Sequence, residues 1–351
     1  MRIVAVSVVV AGLLLLGDPI HAQNQQTPAT ARATTPEIPF DSVNFIKMPP
    51  GLYMGEVVGV TSNSKGNVYV ITRSGESRVF EFDRNGNFIK EFGAGSYGYA
   101  FAHAVRVDRD DNVWSVDEGT NMVLKFNPLG KLLMVLGKRP DPIDQLNRMP
   151  GTAPYSGANR PYSFHRPTDV AWDPQGNIFV SDGYTDSRIV KYDRTGRFIK
   201  AMGTRGNGVN QFNTPHGIAA DAQGNIYVAD RGNGRLVVLD NDLNWKAAWT
   251  QYGNPWGLCI SQGTPQYLFT TNSSGPNMEV GNVAATGEIY KLRLDGTAVG
   301  RFGKAGRAMK EFASAHTLDC RNPNEIFVAE ISSWRLQKVT LRSQTTTSSG
   351  D

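Results

Sequence analysis

Residues 167–203 read PTDVAWDPQGNIFVSDGYTDSRIVKYDRTGRFIKAMG, and residues 214–249 read TPHGIAADAQGNIYVADRGNGRLVVLDNDLNWKAAW. The two stretches share one grammar. An apolar run ends in Asp, a Gly-Asn turn follows, and a second apolar run again ends in Asp. A loop then leads to Arg, a third run, a turn and a final run. Short runs of alternating or β-branched residues between Gly, Asn and Asp turns are strands joined by hairpins. Helical periodicity is absent. Four weaker copies, at 58–93, 103–137, 256–303 and 316–342, bring the total to six. Six units of four strands predict an all-β, six-bladed β-propeller, because each unit alone cannot bury both its faces.

The sixth unit lacks a fourth run, since the tail turns polar after LQKVTLR. Near the other end stands NFIKM (44–48), which matches the fourth runs FIKEF (88–92) and FIKAM (198–202). This N-terminal strand is expected to complete the last blade and close the ring, which removes exposed sheet edges. The acid–Arg pairs Asp182/Arg188, Asp230/Arg235 and Glu330/Arg335 recur between blades and are expected to be architecture rather than chemistry.

Outward from the repeats, the ends carry other signals. Arg2, the apolar run at 3–16 and Ala22 read as a secretory signal over 1–22. A Gln/Thr/Ala/Pro-rich linker follows at 23–40, the propeller fills 41–342, and 343–351 is a polar tail. The protein is expected to be exported, periplasmic or secreted, monomeric, and not inserted in a membrane after cleavage. The net charge of +4 is scattered over 36 basic and 32 acidic residues. That pattern gives no footprint for nucleic acid. Cys259 and Cys320 fall one position out of register in the repeats, so their side chains should face opposite ways. Two buried thiols are favoured over a bridge, although export permits one.

Aligning the units at the start of the innermost strand brings Val58, His103, Thr168, His216, Trp256 and His316 into one column. Histidine occupies alternate blades, two, four and six. Innermost strands line the channel, so three imidazoles should converge on the axis from three sides. Three His with an open fourth position is the arrangement of catalytic zinc. His165 is out of register and reads as a loop residue. The ends of the second strands return to the same face with Arg73, Glu118, Gly183, Arg231, Asn272 and Ile331, and with Tyr184 next to Gly183. Glu118 reads as ordinary loop polarity, and Arg73 and Arg231 as anion binders. The insertions at 138–163 and 272–288 fall on this face, where specificity loops are common.

The repeats resemble the NHL-repeat family over nearly the whole mature chain. The words PTDVA (167–171), SDGYTDSRIV (181–190), PHGIA (215–219) and VADRGNGR (228–235) are similar to those of the peptidyl-α-hydroxyglycine α-amidating lyases. That resemblance implies zinc on His103, His216 and His316, with Tyr184, Arg73 and Arg231 as catalytic residues. It implies cleavage of the C–N bond of a carbinolamide, giving an amide and glyoxylate from a small-molecule or peptide substrate. The chemistry suits the residues: a metal acidifies the hydroxyl, tyrosine moves its proton, and arginine holds the carboxylate. Two departures stand out. The family has an aspartate after the third histidine, linked to structural Ca2+, where this chain has Thr317, so any calcium here is expected to bind weakly. The family's cysteines flanking the tyrosine motif are missing; Thr185 follows Tyr184. Alternatives from other classes are a non-catalytic propeller that binds a peptide or glycan, and a metal-dependent hydrolase.

Overall fold

The computed structural model describes residues 34–139, 161–273 and 286–342. The signal, most of the linker, the polar tail and the middle of both insertions lie outside these residues. Among the described residues no helix is long and apolar enough to cross a membrane.

Six four-stranded antiparallel sheets follow one another along the chain. Blade one is Val57–Ser62, Val68–Thr72, Arg78–Phe82 and Phe88–Phe92; blade two is Ala102–Val107, Val113–Asp117, Met122–Phe126 and Leu132–Gly137. Blade three begins at Asp169–Trp172, blade four at Pro215–Ala220, blade five at Pro255–Ile260 and blade six at Ala315–Asn322. The turn words have a direct cause. In DPQGN, Asp173 Oδ1 accepts the backbone N–H groups of Gln175 (2.9 Å) and Asn177 (2.8 Å), so the aspartate replaces strand pairing with a side-chain cap. Apolar side chains of successive blades meet face to face, giving a separate core at each of the six blade junctions.

The ring closes as expected, but through a different segment. The closing strand is Phe40–Asn44, paired antiparallel with Arg335–Leu341 from Phe40↔Leu341 to Asn44↔Gln337. The NFIKM run was the wrong candidate. Past Asn44 it leaves blade six and packs into the junction with blade one. Phe45 meets Phe327 with ring centroids 5.0 Å apart, and Lys47 N donates to Gly86 O at 2.9 Å. Its hydrophobic side chains fill a junction core, which produces the same apolar pattern as an outer strand.

Cys259 and Cys320 form a disulfide, with Cα atoms 6.0 Å apart. They do face opposite ways relative to their own sheets. In a propeller, however, opposite faces of successive blades look at each other. The two thiols, on the inner strands of blades five and six, therefore point into one shared core.

Candidate metal centre

A backbone irregularity carries each histidine. In blade two, Ala102 pairs with Asp117 and Ala104 with Val116, leaving His103 as the extra residue of a β-bulge. Blade six shows the same break between Ala315 and Thr317, around His316, and blade four between Pro215 and Ile218, around His216. A bulge re-aims a side chain that regular pleating would send into a blade junction. The inner strands also approach closely. A Cβ added at Gly217, beside His216, would lie 2.8 Å from Trp256 O.

The three imidazoles are buried, with ring centroids 4.6, 4.6 and 4.8 Å apart. Their ligand atoms lie within 4.8 Å of one another. Each Nδ1–H donates to a backbone carbonyl: His103 to Thr168 O (2.6 Å), His216 to Trp256 O (3.0 Å) and His316 to Val58 O (2.6 Å). These carbonyls belong to the next blade in each case. They fix the tautomer, so that every Nε2 carries a lone pair. Burial pushes all three pKa values down, His316 to about 3 and the others well below the ordinary range, aided by the nearby arginines. The imidazoles are therefore neutral, the form that ligates a metal. His216 Nε2 is buried with no hydrogen-bond partner among the described residues, a cost that a bound cation removes. A divalent metal fits this donor set.

The expected mouth residues assemble over the trio. Tyr184 Oη stands 3.1 Å from His103 Nε2 and 3.5 Å from Arg231 Nη1. The phenol thus donates to the imidazole and accepts from the guanidinium. Burial raises its pKa, against the pull of Arg231. Gly183 permits this placement, because a Cβ there would be 2.1 Å from Pro215 O. Arg231 lies over the rings of Tyr184 (5.1 Å) and Trp256 (4.6 Å) and makes no ion pair among the described residues. Arg73 differs. Its Nε donates to Glu56 Oε2 at 2.8 Å, and its guanidinium covers Phe101 at 4.3 Å. Most of its charge is already answered.

Three mouth residues need correction or addition. Glu118 is not loop polarity. It is 3% exposed, ion-paired to Arg166 at 3.2 Å, and burial raises its carboxyl pKa. Arg166, whose guanidinium lies 4.6 Å over Tyr184, was missed, although it directly precedes the PTDV word. In blade five the mouth position is Ser273 rather than Asn272. Asn272 pairs with Pro255 as Asp230 pairs with Pro215, and its Oδ1 caps Asn254 N at 2.9 Å. His165 is a loop residue paired with Asp186 at 2.8 Å. The acid–Arg pairs are architecture: Asp182–Arg188 (2.9 Å), Asp230–Arg235 (2.8 Å) and Glu330–Arg335 (2.7 Å) lie at the loops away from the axis, with fully buried acids.

Fold and site together define a six-bladed propeller with a three-histidine channel. The NHL repeat family profile matches residues 212–239. NHL repeat-containing protein 3 of Mus musculus is 29% identical over 287 residues, 78% of this chain and 76% of that protein. Peptidyl-alpha-hydroxyglycine alpha-amidating lyase 1 of Drosophila melanogaster is 28% identical over 262 residues, 69% of this chain and 44% of that protein. The chain spans 18% of the length of the peptidylglycine alpha-amidating monooxygenase of Rattus norvegicus, at 29% identity. Among solved structures, a streptogramin B lyase superposes with a TM-score of 0.56 at 16% identity, covering 86% of this chain and 98% of that one, a likeness of fold. The protein is a six-bladed propeller with an NHL repeat match at residues 212–239, and it resembles the peptidyl-α-hydroxyglycine α-amidating lyases.

Proposed function

We propose that this chain is a metal-dependent lyase that cleaves the C–N bond of peptidyl-α-hydroxyglycine-like carbinolamides, giving an amide and glyoxylate. The observation that carries this is the convergence of three neutral imidazoles beneath a phenol that Arg231 also touches. His103, His216 and His316 would hold Zn2+, which when bound supplies a Lewis acid for a substrate oxygen. Arg231, which makes no ion pair among the described residues, binds the substrate carboxylate and orients the C–N bond. Tyr184 moves the protons. The hydroxyl proton passes to the phenolic oxygen as the C=O bond forms, and the phenol's own proton goes to the departing amide nitrogen as the C–N bond breaks. A phenol whose pKa burial has raised starts in the protonated form this exchange needs. Arg73 and Arg166 add positive potential at the mouth. The Cys259–Cys320 bridge suits an exported, periplasmic or secreted protein, and a closed ring suits a monomer.

The test combines metal content with product identity. Protein purified without chelator should carry about one zinc per chain, lost when all three histidines become Ala. A hydroxyglycine-extended peptide should release glyoxylate, and ester or lactone should remain intact. A zinc-loaded protein that opens the lactone and spares the peptide is a hydrolase. One that binds peptide equally well without its histidines is an interaction module.

A further inference from the structure

Beneath the histidines the channel holds a second charged centre. Arg106, on the inner strand of blade two, is 9% exposed. Its Nε donates to Asp169 Oδ1 of blade three at 2.8 Å, and Nη2 donates to the other carboxylate oxygen. Nη1 donates to Leu318 O of blade six at 3.0 Å and Nη2 to Leu258 O of blade five at 3.1 Å. Asp169 Oδ2 also accepts Ile218 N of blade four at 3.2 Å. One guanidinium thus gathers oxygens from three blades, and through its carboxylate reaches a fourth. Thr317 is similarly committed: it accepts Val60 N (3.2 Å) and donates to Val58 O (3.1 Å) in blade one. A carboxylate and converging backbone carbonyls are the ligands of a hard cation. Here they are all turned toward a side-chain cation, so calcium does not fit.

We propose that Arg106 is the propeller's built-in central cation: its guanidinium fills an oxygen cage that a calcium ion would otherwise take, and its removal creates a calcium site. The donor geometry supports this, since four of the five guanidinium N–H bonds have oxygen partners. A second observation is independent. Asp319 is 8% exposed, lines the same 250 Å³ lower-channel cavity as Arg106, and has an Oδ2 with no hydrogen-bond partner among the described residues. Without the guanidinium, two carboxylates and two carbonyls face one space. Asp169 would be left buried and unpaired, which is strongly destabilising unless another cation enters.

The experiment measures thermal unfolding and bound calcium for the zinc-loaded full chain, wild type and Arg106→Gln, Arg106→Ala and Arg106→Lys, with and without millimolar calcium or magnesium. Wild type should ignore calcium and retain none after dialysis. The Gln and Ala variants should unfold at lower temperature and regain about 5 °C or more with calcium. Magnesium should do less, because it gives up its waters reluctantly. Lys keeps a positive charge in the cage and should remain indifferent to calcium. If Gln and Ala fold only when calcium is present, the proposal is supported. Stoichiometric calcium in wild type overturns it. So do folded Gln and Ala variants that ignore calcium, or Gln and Ala variants that fail to fold with calcium supplied.

Discussion

Tyr184 Oη and His103 Nε2 share a hydrogen bond of 3.1 Å, and the nitrogen involved is the one that faces the other two histidines. A lone pair used for a metal cannot also accept a proton. A metal bound at the three histidines would therefore release the phenol from His103 and leave its O–H available to a substrate. Tyr184→Phe removes the competing donor while keeping the ring, its contact with His103 and its place under Arg166 and Arg231. Zinc affinity in this variant should be unchanged or slightly higher, and kcat should fall about 10²–10⁴-fold. Metal titration and steady-state kinetics on one preparation separate the two effects. Near-normal turnover would remove Tyr184 from the mechanism.

The two arginines should differ when each is replaced by Ala. Arg231 makes no ion pair among the described residues, whereas Arg73 is bonded to Glu56 at 2.8 Å. Loss of Arg231 should raise KM and lower kcat together, because it both binds and orients. Loss of Arg73 should weaken binding less and leave Glu56 unpaired. Equal effects in both parameters would contradict the assignment of the carboxylate to Arg231.

Acid should destabilise the metal-free protein through its histidines. Their folded pKa values lie below the unfolded value near 6.5, His316 at about 3. Between these limits the unfolded chain binds more protons, so stability rises with pH across the window and is lost as pH falls through it. Buried carboxyls with raised pKa values, such as Asp182 at about 7, work in the opposite direction. The comparison must therefore be differential. His316→Gln should flatten the dependence of Tm on pH between about 4 and 6.5 relative to wild type. Parallel curves would mean that His316 is not held neutral by burial.

The Cys259–Cys320 bridge closes a separation of 61 residues across the junction of blades five and six. Replacing both by Ser should cost about 2–4 kcal/mol in denaturant unfolding, with the three-histidine site intact. An unchanged midpoint would show that packing alone holds this junction.

Blade count, strand order and the histidine column were legible because each depends on local words that recur at a fixed period. The DPQGN and DAQGN turns announce their own capping, and alternate-blade histidines converge whatever the loops do. What escaped the sequence depends on contacts between units. Phe40–Asn44 closes the ring although NFIKM resembles an outer strand, because junction cores and outer strands demand the same apolar residues. The bridge was missed because facing opposite ways within single sheets means facing each other between neighbouring blades. Glu118 and Arg166 belong to different repeats, and no spacing within one repeat reveals a pair formed across the mouth. The bulges at His103 and His316 leave no mark in composition, yet they aim the imidazoles at the axis.

A channel that works as proposed breaks a carbon–nitrogen bond. The most direct measurement is the yield of both products when zinc-loaded wild-type protein is given an α-hydroxyglycine-extended peptide, with spontaneous breakdown subtracted. Glyoxylate and peptide amide in equal amounts, produced by wild type and abolished by His216→Ala, is the result expected. Metal bound at the three histidines with no glyoxylate above the spontaneous rate would contradict it.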